Sequence, residues 1–221
     1  NMNTGDQKYV DEWNGKITPL GGYEGRSIKK TMLFHFRNKN TKKSKDIYNY
    51  NGFVTHLIVD YIKFKTGEDY DKLYSKIFND KVKIKHSISY DNKHSNIKAT
   101  RFDYLRIAKA IMDDYQNDTC VGKYLKEIHK RRIPKHLNEK RNEPAFNRTG
   151  SYGGQFHFDY PGLKNKVIFG MGGYGGQAIL IDMENSRIVV LNSLHYNKTK
   201  YKYNHKKLLI NPIKKGKWKK F

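Results

Sequence analysis

A chain of 221 residues, 37% hydrophobic and 14% aromatic, is long enough to bury one sizeable core, or one domain with a lobe packed against it. Its formal charge of +23 raises nucleic acid or an anionic surface as a partner, but Lys and Arg spread from Lys8 to Lys220 without forming one block. That spread reads as a bias acting on solvated positions and does not favour nucleic acid. The single cysteine, Cys120, excludes an intramolecular disulfide and a Cys-based metal site, and no apolar run reaches the length of a membrane span.

The opening NMNTGD begins at Asn1 and has no leader character, so the sequence reads as processed or truncated there. Residues 1–50 are polar, with Gly21-Gly22 and the basic stretch KNTKKSK at 39–45, and predict loops with one short strand or helix around Thr31–Phe36. Val54, Leu57, Ile58, Tyr61 and Ile62 then fall on one face of a helix that Thr66-Gly67 ends. Tyr70, Leu73, Tyr74, Ile77 and Phe78 repeat the spacing and predict a second helix, followed by a polar connection over 81–99. Thr100 opens TRFD, a Thr with an acid three residues on, which predicts a capped helix burying Leu105, Ala108, Met112 and Tyr115. A further helix around 121–131 uses Val121, Leu125 and Ile128, with Pro134 just beyond it.

After Gly150 the pattern turns to strands. QFHFDY at 155–160 alternates, KVIFGM at 166–171 and QAILID at 177–182 are apolar runs, and RIVVLNS at 187–193 returns across a Glu184-Asn185-Ser186 turn. Short connections predict antiparallel neighbours, and the unalternating IVVL predicts a strand covered on both faces. The predicted class is α+β, with loops and a helical lobe over 1–149, an antiparallel sheet over 150–195, and a basic tail over 196–221 that has Trp218 and Phe221 as docking points.

VIFGMGGYGGQAILID contains GxGxxG at Gly170, Gly172 and Gly175, but a dinucleotide fingerprint needs a helix to follow and here a strand follows. Five glycines in seven positions still need a cause. Two readings stand side by side: a backbone N–H held against a substrate carbonyl as an oxyanion donor, or a tight turn at the end of a sheet.

GYGGQ followed by AILIDMENSRIVVLNS resembles the last signature of the penicillin-recognising serine hydrolases, in particular the class C-like branch of β-lactamases, D-Ala-D-Ala carboxypeptidases and β-lactamase-like esterases. In that family the strand opens with Lys-Thr-Gly, His-x-Gly or a Gly-rich variant; here Gly173-Tyr174-Gly175 stands in its place, and Asp182-Met183 replaces the usual Asp-Pro turn. IYNYNGFVTHLIVDYIKFKTG at 47–67 is similar to the stretch around the family's Tyr-x-Asn signature, and IKATRFDYLRIAKAIMDD at 97–114 to a helix of its helical lobe. NMNTGD and SYGGQFHF match further stretches in the same order.

The resemblance implies part of a β-lactamase-like α/β/α fold with Tyr50 as the catalytic tyrosine, Asn51 and Gly52 beside it, and the Tyr174 N–H as an oxyanion donor on the strand of Gly173 and Gly175. Gly52 takes the position of the signature's Asn, which removes that side chain's substrate contact. Asp103 and Arg106 become structural residues of the helical lobe. The implied reaction passes through an acyl-enzyme on an ester, amide or β-lactam, without a cofactor. Loss of the Lys-Thr-Gly lysine tilts the expectation towards esters or small amides. The family's periplasmic or secreted setting carries over as an expectation only.

The nucleophile is missing from the pattern. Ser27 with Lys30 and Ser95 with Lys98 match Ser-x-x-Lys, but the first lies in a polar region too close to Tyr50 and the second follows the tyrosine signature in the wrong order. Tyr90-Asp91-Asn92 is a second, accidental Tyr-x-Asn. The catalytic helix is therefore expected before residue 1, on an N-terminal segment that acts as partner to this chain. The alternative is a catalytically inactive β-lactamase-like module that uses its positive charge to bind an anionic partner. Nine histidines show no HxxxH or HExxH spacing, so zinc is not expected, and His157 and His195 read as packing or surface residues.

Overall fold

The computed structural model describes residues 48, 53–86, 88–91, 96–135, 149–173, 177–192 and 206–216. The chain divides into two compact units, one of Asn1, Lys76–Ser89 and Lys98–Phe221, the other of Met2–Ser75 and Tyr90–Ile97.

In the second unit, α1 (Phe53–Thr66) stops where Gly67 takes a positive φ of 56°, as the Thr66-Gly67 boundary predicts. A 3₁₀ turn leads to the short α2 (Tyr70–Ser75). The predicted apolar stripe of α1 is exposed where it is described: Ile58 is 44%, Tyr61 61% and Ile62 38% accessible. The second predicted helix is shorter than its periodicity suggests, because Lys76–Lys81 continues as a wide π-type turn.

The first unit is α+β. Within 81–99 the chain holds more than a plain connection: β1 (Ser89–Asp91) and β2 (Asn96–Lys98) pair as a two-stranded sheet, most of which (Tyr90–Ile97) belongs to the second unit. Thr100 then caps α3 (Arg101–Gln116), its hydroxyl accepting from the Asp103 N–H at 3.2 Å. The Asp103 carboxylate does not complete a reciprocal box with the Thr100 amide. It accepts instead from the Thr100 hydroxyl at 2.7 Å, the Lys85 N–H at 3.1 Å and Arg106 Nη1 at 3.0 Å, and it pairs with His86 Nδ1 at 2.8 Å. At the other end of α3, Asp114 accepts from Lys81 Nζ at 2.7 Å and from the Thr119 hydroxyl at 2.8 Å. Residues 81–86 are thus tied to both ends of α3. Thr119 caps α4 (Cys120–Lys130) through the Gly122 N–H.

The six strands β3 (Ile133–Pro134), β4 (Ser151–Gly153), β5 (Phe156–Phe158), β6 (Ile168–Gly172), β7 (Ala178–Asp182) and β8 (Arg187–Leu191) form one sheet in sequence order, antiparallel at each pairing. One face packs Phe158, Phe169, Ile181 and Met183 against Ala108 and Met112 of α3 and Leu125 of α4. The opposite face packs Tyr160, Leu163, Ile168, Leu180 and Val189 against Leu209, Ile210 and Ile213. β8 serves both, Ile188 on one side and Val189 with Leu191 on the other, which explains its unalternating sequence. Each fully buried aliphatic or aromatic side chain here contributes about 1.5–3 kcal/mol of transfer free energy.

Leu105 and Val121 depart from expectation, at 41% and 43% accessible, because this core takes up the α3 and α4 stripes only from Ala108 and Leu125 onward. The basic tail also holds regular structure. Lys206–Ile210 forms a π-type turn that runs into α5 (Asn211–Lys215), and it is Leu209, Ile210, Pro212 and Ile213 that dock it; Trp218 and Phe221 lie outside the described residues.

Candidate functional site

Gly170 and Gly172 lie in β6 and Gly173 just beyond it. Register pairs Gly170 with Leu180 and Gly172 with Ala178, which places Gly173 opposite Gln177. The Gly173 N–H donates to the Gln177 carbonyl at 3.0 Å, and a Cβ on Gly173 would lie 2.1 Å from Gln177 Nε2. Gly173 is therefore consumed by turn closure. At Gly170 the Tyr160 ring lies against the backbone, with its oxygen 1.9 Å from where a Cβ would stand. Close packing dictates glycine at Gly170, where the buried Tyr160 ring leaves no room, whereas at Gly173 the clashing atom is the end of the exposed, flexible Gln177 side chain.

Gly172 is different. Because residue 173 bonds to β7, the alternation of an antiparallel ladder turns the peptide groups of Gly170 and Gly172 to the opposite edge. There β5 meets β6 at one register position, His157↔Gly170, and the chain before it bends away through Gly154 and Gln155 at φ of 52° and 70°. Gly172 is exposed and has no ladder partner on that side among the described residues. At Gly172 β6 thus presents a backbone N–H to an interior edge of the sheet that β5 leaves uncovered, besides the outer edges of β3 and β8.

Next to it, on the face that carries Tyr160, lies a buried polar cluster. Lys135 Nζ is 3.1 Å from the Thr149 hydroxyl and 3.1 Å from His157 Nδ1. All three residues are buried, and the Tyr152 ring stands edge-on to the imidazole at 5.0 Å. Burial, reinforced by the Lys135 charge, pushes the His157 pKa down to about 3. His157 is therefore neutral at physiological pH, and with Nδ1 facing an ammonium it accepts there. Tyr152 donates its phenol proton to Gln155 Oε1 at 3.1 Å, at the point where β5 leaves β6. At the far end of β5, Asp159 accepts from Arg132 Nε at 3.0 Å and from the Ser151 hydroxyl; burial opposes its charge, and these bonds hold its pKa below the ordinary carboxylate value.

Of the residues singled out in the sequence, Gly173 is described and is spent on the hairpin. Tyr50, Asn51, Gly52, Tyr174 and Gly175 lie outside the described residues, as do Ser27, Lys30, Ser95, Asn92 and His195. Lys98 is exposed at the end of β2. His157 is the packing histidine expected of it. Sequence reasoning noted Gly172 only as part of GxGxxG, and it missed the Lys135–Thr149–His157 cluster, for which the sequence offered only the alternation of Phe156, His157 and Phe158. No helix among the described residues is long and apolar enough to cross a membrane. The chain matches no family model, no curated protein and no solved structure.

Proposed function

We propose that these residues form part of a serine hydrolase of the penicillin-recognising type, acting through an acyl-enzyme on an ester or small amide. The observation that carries the reading is the open, glycine-lined edge of β6 at Gly172. Helices on both faces of an antiparallel sheet, in the chain order of the resemblance, support the finer β-lactamase-like α/β/α assignment. The nucleophilic serine and its activating lysine belong to residues other than these 221.

In this reading the serine hydroxyl adds to the substrate carbonyl while the lysine and Tyr50 take its proton. An unperturbed phenol titrates near ~10, so Tyr50 serves as base only with that cation beside it. The tetrahedral oxyanion accepts from the Gly172 N–H, a donor fixed before the reaction and so free of reorganisation cost. The leaving group departs with the proton, and water repeats the addition to release the acid.

The test is labelling of the intact protein with fluorophosphonate and penicillin probes, with the modified serine located by mass spectrometry. The reading expects a labelled serine within a Ser-x-x-Lys outside these residues, and loss of labelling in Tyr50→Phe. A protein that takes neither probe, or a label on a serine within residues 1–221, overturns it.

A further inference from the structure

The two layers that cover the sheet differ in charge. On the α3–α4 side acids are interleaved with the lysines and arginines, and four of the cations are paired to them: Lys109 with Asp113, Lys126 with Asp118, Arg131 with Glu127 and Arg106 with Asp103, while Arg101, Lys123 and Lys130 carry no such pair among the described residues. The layer on the other face consists of residues 161–166, anchored by Leu163, and residues 206–216, anchored by Leu209, Ile210 and Ile213. These two stretches contain six lysines (Lys164, Lys166, Lys206, Lys207, Lys214 and Lys215), no arginine and no acid. Lys164, Lys214 and Lys215 are exposed. The helix is seated firmly: Ile213 is fully buried, and Arg187 Nη1 donates to the carbonyls of Ile213 and Lys214 at 3.0 and 2.9 Å. Gly216, at φ 65°, ends it, and the sequence continues Lys-Trp-Lys-Lys-Phe.

We propose that this lysine layer binds the protein to the surface of an anionic lipid membrane. An acid-free set of cations on one side of a folded unit presents an uncompensated field, and each lysine at an anionic bilayer adds favourable attraction that salt screens. Lysine without arginine suits headgroup charge, whereas nucleic-acid readers rely on the bidentate guanidinium for bases and phosphates. The apolar face of α5 is already used by the sheet core, so the binding is adsorption rather than helix insertion. This inference does not depend on the hydrolase reading.

The test is co-sedimentation of the full chain with vesicles of phosphatidylcholine containing one-third phosphatidylglycerol, against pure phosphatidylcholine, at low and high salt. Lys164, Lys166, Lys214 and Lys215 changed together to Gln should weaken binding to the anionic vesicles at least about tenfold. A control with Lys76, Lys83, Lys123 and Lys130 changed to Gln, equal in charge lost, should retain most of it. Thermal melts of both variants establish that the fold is kept. The proposal is overturned if neutral and anionic vesicles bind alike, if neither binds, if the control loses as much as the test variant, or if duplex DNA is bound and the vesicles are not.

Discussion

Replacing Asp103 with Asn tests the electrostatic account of how residues 81–86 are held to α3. The Asp103 side chain is wholly inaccessible and collects Thr100, the Lys85 amide, His86 and Arg106. Burial works against its charge, yet the hydrogen bonds from Thr100, Lys85 and His86 hold its pKa down to about 2, from 3.8. A carboxyl bound that much more tightly as the anion contributes about 2 kcal/mol to stability at neutral pH. The sign follows from the lowered folded value: the contribution is complete above the unfolded value and is lost as pH falls through about 2. Asp103→Asn removes it and also leaves the guanidinium of Arg106 without its carboxylate, for a total of about 2–4 kcal/mol, or a drop of roughly 5–12 °C in Tm for a chain of this size. Urea unfolding followed by circular dichroism across the acid range measures both effects. The reasoning fails if the variant is within about 0.5 kcal/mol of the parent at neutral pH, or if the two acid-unfolding curves run parallel.

Three further outcomes follow from the geometry. His157, neutral when folded, with its pKa lowered from 6.5 to about 3, makes stability fall as pH drops below 6.5 by up to about 1.4 kcal/mol per pH unit; urea midpoints of His157→Gln should flatten between those values. Alanine at Gly122 places a Cβ 1.9 Å from the Asp114 carbonyl oxygen and forces α3 and α4 apart, costing about 3 kcal/mol or more, while Gly170→Ala displaces the Tyr160 ring for about 1–3 kcal/mol. At Gly162 a Cβ meets open space and only the positive φ of 82° resists it, so that change should cost least, about 1 kcal/mol, and denaturant titrations should rank the three in that order. For the proposed reaction, Gly172→Pro removes the edge N–H and should lower kcat about a hundredfold or more, with Gly172→Ala losing far less; equal losses would remove Gly172 from the oxyanion role.

Much of the first unit was legible because its periodicities are clean. The apolar runs at 166–171, 177–182 and 187–193 became β6, β7 and β8, and the Thr100 cap and the Leu125 stripe placed α3 and α4. What escaped the sequence depends on partners far along the chain. Nothing local to Lys135 announces a histidine 22 residues on, and Leu105 shares a helical face with Ala108 yet lies beyond the reach of the core. Residues 206–215 read as a tail because Lys206, Lys207, Lys214 and Lys215 dominate them, although the short apolar core Leu208–Ile210 with Ile213 is enough to dock. The glycine run supported two readings. Gly173 belongs to the turn, and hydrogen-bond alternation faces the Gly172 peptide to the other edge, while Tyr174, the expected donor, lies outside the described residues.

Because each strand from β4 to β8 lies beside the strand that precedes it in sequence, the sheet can zip up by successive pairings of neighbouring strands. During synthesis the α3–α4 layer emerges first and can shelter one side as the ribbon grows. Leu180, Val189 and their neighbours must wait for residues 206–216, which follow them in the chain. Until then that side is an uncovered greasy surface, the kind of intermediate that invites self-association or chaperone capture.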